Sequence, residues 1–128
     1  MRPRGRVVDT GAIRRYVAAD SMTVSAALAG LEDRGYTALV PALCLSEAYW
    51  MADRADEAML DVFRTLPQVE IVALDPGDAP AVGGLARFLG TLGMAHACLL
   101  AAVLRVPLMT AEPALAGKIL SADLIREV

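Results

Sequence analysis

Aromatic residues, cysteine and histidine are all scarce in this 128-residue sequence. Phe, Trp and Tyr together make up 5% of the chain, which has two cysteines and one histidine. A core with few large rings has to be built mainly from Ala, Leu, Val and Met, a composition that favours closely packed helices. Without the paired spacing of a zinc or redox motif, Cys44 and Cys98 are predicted to be reduced core thiols of a cytoplasmic protein.

The sequence also lacks a long hydrophobic run and an excess of basic charge. Asp9 and Gly11 interrupt the basic start at residues 1–6 before an apolar stretch of secretory length develops. The longest uncharged run, residues 88–104, is shorter than the ~20 residues of a membrane span. We therefore expect neither export nor a membrane partner. A net charge of −3 excludes a diffuse basic field, so any nucleic-acid contact has to be local.

Length and hydrophobicity set the expected organisation. A chain of 128 residues falls in the range of one domain, here residues 1–128. Hydrophobic residues make up 56% of the sequence, more than one small monomer easily hides. An apolar patch left on the surface usually marks an interface, so we expect a homodimer or another protein partner.

Short apolar segments alternate with segments of helical spacing along the chain. Strands are expected at residues 6–8, 38–40, 69–74, 107–109 and 124–128, and helices at residues 11–19, 21–34 (capped by Ser21 and ended by Gly35), 41–54, 56–65, 78–89, 94–104 and from about 112. Such alternation requires crossover connections and predicts an α/β fold with a parallel sheet of about five strands between helices. The ligand site of such a fold lies beyond the carboxyl ends of the strands.

Two carboxylates follow predicted strands directly. Asp9 comes after the first strand and Glu112 after the strand at residues 107–109, so both are expected at the carboxyl edge of the sheet. Each also has a structural interpretation. Asp9 or Thr10 could cap the next helix, and Glu112 could favour the first turn of a helix capped by Thr110.

A third carboxylate, Glu47, is the only charged residue between Val40 and Asp53. Surrounded by core residues, it needs a partner, a metal or a proton, because burying a bare charge is very costly. The alternative is a Glu that reaches solvent at the helix edge. Three carboxylates meeting at one sheet edge would suit Mg²⁺ or Mn²⁺. Such a cation activates water and stabilises charge on phosphate, which predicts phosphodiester hydrolysis.

Three segments resemble signature blocks of the PIN-domain family, which includes the VapC-type toxins of toxin–antitoxin pairs. They are VVDTGA at residues 7–12, LVPALCLSEA at 39–48 and VPLMTAE at 106–112. The resemblance implies a three-layer sandwich and an endoribonuclease that cuts RNA with Mg²⁺ or Mn²⁺ held by about four acidic residues. Asp9, Glu47 and Glu112 match three of those positions, and Thr10 and Thr110 match accompanying hydroxyls. It also implies an antitoxin partner.

The sequence departs from the family pattern before the last block. No carboxylate occurs between Asp78 and Glu112, and Met94, Ala95 and His96 stand where an Asp is expected. The last block carries Glu where Asp is commoner. His96 is either an auxiliary ligand or a core residue. The missing carboxylate supports an alternative function, a PIN-like domain that has lost catalysis and binds RNA or protein.

Other residues have open roles. Asp75 is either a compensating carboxylate or, as we prefer, a turn residue before Pro76 and Gly77. Three arginines could contact RNA phosphates or simply be solvated: Arg14, Arg15 and Arg87. Tyr49 and Trp50 are expected in the core or a dimer contact rather than stacked on bases, and Asp53, Asp56, Glu57 and Asp61 are expected to form a solvated helix face.

One further likeness is local. The tripeptide Asp9-Thr10-Gly11 after two valines also resembles the catalytic loop of retropepsin-type aspartic proteases. That fold is almost entirely β, whereas helical periodicity covers most of this chain.

Overall fold

A five-stranded parallel sheet forms the centre of the computed structural model, which describes residues 2–18 and 22–128. The strands are β1 (Arg4–Val8), β2 (Thr37–Pro41), β3 (Val69–Val72), β4 (Leu108–Thr110) and β5 (Ile125–Glu127). Their order is β3-β2-β1-β4-β5, and every neighbouring pair is parallel. The predicted α/β class, with a parallel sheet of about five strands, is confirmed.

The helices that the structure describes flank this sheet. They are α1 (Thr10–Ala18), α2 (Met22–Arg34), α3 (Ala42–Trp50), α4 (Arg54–Phe63), α5 (Ala79–Leu89), α6 (Leu92–Leu104) and α7 (Pro113–Ala116). An almost entirely β fold is therefore excluded, and with it the retropepsin-like interpretation of residues 9–11. Helix α6 packs against β1, β2 and β4 as well as against α3 and α5.

Burial follows the hydrophobic pattern of each element. Strands β2 and β4 are buried along their whole length, whereas the edge strand β3 is half exposed. Ile13 and Val17 turn one face of α1 into the core, and Phe63 of α4 packs on Tyr16 with ring centroids 5.2 Å apart. Most residues of α6 are small or apolar, and seven of its first ten are buried. The core is thus mainly aliphatic, as the composition predicts.

Capping explains why several helices begin earlier than the hydrophobic pattern predicts. The Asp53 side chain accepts a hydrogen bond from the Asp56 N–H at 2.8 Å, so α4 begins at Arg54 rather than near residue 56. In the same way Thr91 accepts from the Met94 N–H at 3.0 Å, so α6 begins at Leu92. Gly35 follows α2 with a φ of 73°, as expected of a helix-ending glycine. The cap predicted at Ser21 lies outside the described residues.

The chain changes direction within the sheet next to β1. It runs from β1 outward through β2 to β3, and then returns to place β4 on the other side of β1. Val7 and Val8 are in register with Leu108 and Met109, so the residues that follow β1 and β4 emerge side by side. In parallel α/β sheets such a reversal opens a crevice at the carboxyl edge, where ligands bind.

No single helix of the described chain is both long and apolar enough to cross a membrane. The segment Pro76–Leu89 and helix α6 reach the required length and hydropathy only as a pair, and they are bent by 116° at the break between them.

Candidate active site

A pocket of about 580 Å³ opens at the crevice between β1 and β4. It brings together all three carboxylates singled out in the sequence, although they are far apart along the chain. The pocket is lined by Asp9, Thr10, Gly11, Arg14, Arg15, Ala18, Glu47, Trp50, Met51, Asp56, Thr91, Met94, Ala111 and Glu112. Four carboxylates and two guanidinium groups therefore share one concave surface.

Asp9 is the most deeply placed of these carboxylates, with 1% of its surface exposed. Its Oδ1 accepts a hydrogen bond from the Ala12 N–H at 2.9 Å, so Asp9 does cap α1, as one of the two interpretations holds. Its Oδ2 is buried and has no hydrogen-bond partner among the described residues. A buried oxygen without a partner is uncommon and calls for a ligand, a water or a proton.

Burial is the main reason why the pKa of Asp9 rises from 3.8 to about 6. The negative charge of Glu112 adds to this rise, while the Thr110 hydroxyl and the Ala12 N–H oppose it. Asp9 is therefore a carboxyl group that binds a proton readily when no cation is present.

Glu47 is partly buried at the junction of three helices. Its Oε1 accepts from the Thr10 hydroxyl at 2.8 Å, and its Oε2 accepts from the Gly93 N–H at 3.3 Å. The side chain thus stays inside the pocket and does not escape to solvent. Each carboxylate oxygen retains a lone pair that is free for a further contact.

Glu112 stands at the outer rim of the pocket and is exposed. Its backbone N–H donates to the buried Thr110 hydroxyl at 2.9 Å, which fixes the turn after β4. In the described chain its carboxylate makes no hydrogen bond or salt bridge, so the side chain is free to rotate. The sequence placed this carboxylate at the correct edge of the sheet.

The remaining candidates divide into two groups. Arg14 and Arg15 line the pocket, and Arg15 donates to the Val128 carbonyl oxygen at 2.6 Å. Arg87 and His96 do not line the pocket, so the structure does not bring them to the carboxylates. His96 is 1% exposed, its Nδ1 is buried without a hydrogen-bond partner among the described residues, and desolvation lowers its pKa.

Asp75 is a turn residue, as preferred from the sequence. Its Oδ1 accepts from the Gly77 N–H at 2.8 Å in the 3-10 turn Pro76–Asp78, outside the pocket. Cys44 and Cys98 are buried free thiols, and burial raises the pKa of both. Neither thiol is activated for chemistry.

Six lining residues outside the three sequence blocks were not identified as part of a site from the sequence: Ala18, Trp50, Met51, Asp56, Thr91 and Met94. Trp50 is 84% exposed at the pocket, which excludes the core position, one of the two expected for it, while the dimer contact stays a prediction. Asp56 belongs to the acidic run and brings one carboxylate of that run to the pocket. Thr91 had a recognisable signal, because a threonine before an apolar run is a common helix cap.

The donors are of the type that a hard cation prefers, since all are carboxylate or hydroxyl oxygens. The unpartnered Oδ2 of Asp9 provides one such donor at the pocket. However, no group of three or more His, Cys, Asp or Glu side chains within residues 2–18 and 22–128 is close enough to hold a metal ion together. The donor chemistry therefore fits a divalent cation, but in this structure the three carboxylates are not close enough together to share one.

Comparison with known proteins supports the fold. No family model matches the sequence, and no curated protein matches it. Among solved structures, the chain is similar to a chain in the crystal structure of VapBC2 from Rickettsia felis bound to a DNA fragment from their promoter. The TM-score is 0.67 at 15% sequence identity, over 95% of this chain and 97% of that chain. Likeness over nearly the full length of both chains, at this identity, shows a shared PIN-like fold.

Proposed function

We propose that this protein is a metal-dependent endoribonuclease of the PIN type that hydrolyses RNA phosphodiester bonds with Mg²⁺ or Mn²⁺. The observation that carries the proposal is the meeting of Asp9, Glu47 and Glu112 in one pocket, with the Asp9 Oδ2 buried and unpartnered among the described residues. Carboxylates converge at the crevice of a parallel sheet at a cost in stability, and a bound cation offsets that cost.

Each lining residue has a proposed role. Asp9, Glu47 and Glu112 would hold the cation, and the Thr10 hydroxyl orients Glu47 through its 2.8 Å hydrogen bond. The buried Thr110 hydroxyl fixes the backbone of Glu112. When bound, the cation supplies an activated water and neutralises charge on the phosphate. Arg14 and Arg15, both exposed at the pocket, would bind the phosphates that flank the cleaved bond.

The likeness to VapBC2, together with the three sequence blocks, supports a toxin–antitoxin role with an antitoxin protein as partner. Large exposed apolar side chains are the surface expected of a protein that assembles with a partner or a second copy. Phe88 is 70% exposed, Val103 is 69% exposed and Leu92 is 51% exposed. The cytoplasmic location and the homodimer stay predictions from the sequence.

A second function has its own supporting observation. The described residues contain no three-donor group already in ligating geometry, and Met94 rather than an acid lines the pocket at the start of α6. These features favour a PIN-like domain that binds RNA or protein without cutting it. Both functions use the same fold and the same two arginines, Arg14 and Arg15. They differ in whether the pocket binds a cation.

Cleavage of RNA in the presence and absence of metal tests the proposal. A single-stranded RNA pool is expected to be cut by the purified protein in Mn²⁺ or Mg²⁺, and cleavage is expected to stop when EDTA removes the metal. RNA that is bound with equal affinity in EDTA and in Mn²⁺, without being cut in either, would favour the binding module instead.

A further inference from the structure

The start of α6 is built around the Glu47 carboxylate. A methyl group added to Gly93 would lie 2.0 Å from the Glu47 Oε1 and 2.8 Å from its Cδ. It would also lie 2.9 Å from the Thr10 Oγ1. These separations are far below van der Waals contact, so Glu47 occupies the space that any side chain at residue 93 would fill.

The backbone of α6 also holds this carboxylate. The first turn of a helix has N–H groups without partners inside the helix. Thr91 satisfies the Met94 N–H from within its own segment, whereas the Gly93 N–H donates to Glu47 of α3 at 3.3 Å. The positive end of the α6 dipole adds to the attraction. Helix α6 contains no acidic residue, so the carboxylate at its start comes from another helix.

We propose that Gly93 is a positioning residue: the absence of a side chain at residue 93 and the hydrogen bond that its backbone N–H donates to Glu47 together fix the Glu47 carboxylate in the pocket. This inference rests on the proposed function, because a fixed Glu47 carboxylate affects activity only if it holds a cation. The pairing gives the pocket a carboxylate that α6 does not supply itself.

The fold should tolerate a larger residue at this position. The closest atoms to the added methyl belong to the far end of the Glu47 side chain, which can swing toward solvent, and the Thr10 hydroxyl can rotate away. Ala is also a better helix former than Gly. Gly93→Ala should therefore fold, with Glu47 displaced from the start of α6.

The test compares Gly93→Ala with a matched glycine variant. Gly83→Ala in α5 is the control, because a methyl group there meets nothing within 4 Å. Mn²⁺ affinity is measured by electron paramagnetic resonance on each full-length variant, with circular dichroism to check the fold. We expect Gly93→Ala to weaken Mn²⁺ binding about 10–100-fold, the usual effect of losing a group that orients a metal ligand, and Gly83→Ala to leave it unchanged.

Shortening Glu47 provides a rescue. Glu47→Asp retracts the carboxylate by about 1.5 Å, the length of one C–C bond, and so makes room for the methyl group that Gly93→Ala introduces. On its own, Glu47→Asp is expected to weaken Mn²⁺ binding, whereas combined with Gly93→Ala it is expected to restore part of what the Gly93→Ala variant lost. A double variant no better than Gly93→Ala would overturn the positioning role.

A metal-free measurement separates this inference from the proposed function. Hydrogen exchange followed by NMR is expected to show faster exchange of the residue 93 amide in Gly93→Ala. The exchange rate of the Met94 amide is expected to stay unchanged, because Thr91 still caps it. If the unaltered protein binds no Mn²⁺, the proposed function fails while the exchange result still decides the inference. Equal exchange at residue 93 in both proteins, or equal Mn²⁺ affinity, would overturn the inference alone.

Discussion

Replacing Asp9 by asparagine is expected to reduce RNA cleavage in Mn²⁺ by at least about a hundredfold, since even outer-shell partners of metal ligands contribute 10–100-fold. Asparagine has the same shape and keeps an oxygen for the Ala12 N–H, so α1 remains capped. The substitution removes the negative charge of the Asp9 carboxylate, whose unpartnered Oδ2 would bind the cation. The measurement is a single-turnover cleavage assay at saturating protein.

Asp75→Asn is the matched control for this prediction. Asp75 also caps a turn through its Oδ1, at 2.8 Å from the Gly77 nitrogen, and it lies outside the pocket. The same change there should leave cleavage within about twofold, because asparagine keeps the capping oxygen and residue 75 lies outside the pocket. Equal cleavage by Asp9→Asn and Asp75→Asn would remove Asp9 from the chemistry.

The same Asp9→Asn variant is expected to be more stable than the unaltered protein at neutral pH. Burial raises the pKa of Asp9 from 3.8 to about 6, so between these pH values the folded protein holds a proton that the unfolded chain has lost. Stability therefore falls as pH rises through this window, and above it the ionised Asp9 costs the fold about 3 kcal/mol. Asparagine cannot ionise and avoids this cost.

Urea unfolding in EDTA measures this effect. The difference in free energy of unfolding between Asp9→Asn and the unaltered protein is expected to grow from about pH 4 to pH 6 and to stay level above it. Using the difference removes the contribution of carboxylates that both proteins share. A difference that is constant with pH would show that Asp9 titrates as an ordinary carboxyl group.

Together these two results would mark Asp9 as a residue kept for function at the expense of stability. Proteins commonly retain such groups where a ligand binds and offsets the cost. A helix cap alone does not explain the residue, because asparagine caps as well as aspartate and has no charge to bury.

The fold was predictable because each strand and helix has to bury an apolar face, and this requirement makes the hydrophobic pattern of the sequence regular. The five strands and the intervening helices follow from alternation of short apolar runs with helical spacing, and the structure moves their ends by a few residues. Those shifts come from local hydrogen bonds, such as the caps at Asp53 and Thr91, which hydrophobic periodicity does not contain.

The site was predictable in part, for a topological reason. Asp9 and Glu112 directly follow β1 and β4, so a parallel sheet brings them to one edge. Glu47 was identified because a lone charge in an apolar run needs a partner, and its partners proved to be Thr10 and Gly93. The sequence left the roles of Arg87 and His96 open, and neither residue lines the pocket: Arg87 is exposed and His96 is buried.

The position of Trp50 at the pocket and the contact of Gly93 with Glu47 could not be predicted from the hydrophobic pattern of the sequence. An aromatic residue at the end of an apolar helix looks like core, yet α3 ends at the pocket and leaves Trp50 exposed. The role of Gly93 depends on a contact with a residue 46 positions earlier, which no local signal reveals.

Calorimetric titration with Mn²⁺ is the most direct test of the central claim, that three distant carboxylates form one cation site. The unaltered protein is expected to bind Mn²⁺ with measurable heat, and Asp9→Asn and Glu112→Gln are each expected to reduce that heat to background. Absence of binding by the unaltered protein at millimolar Mn²⁺, or binding that both variants retain, would contradict it.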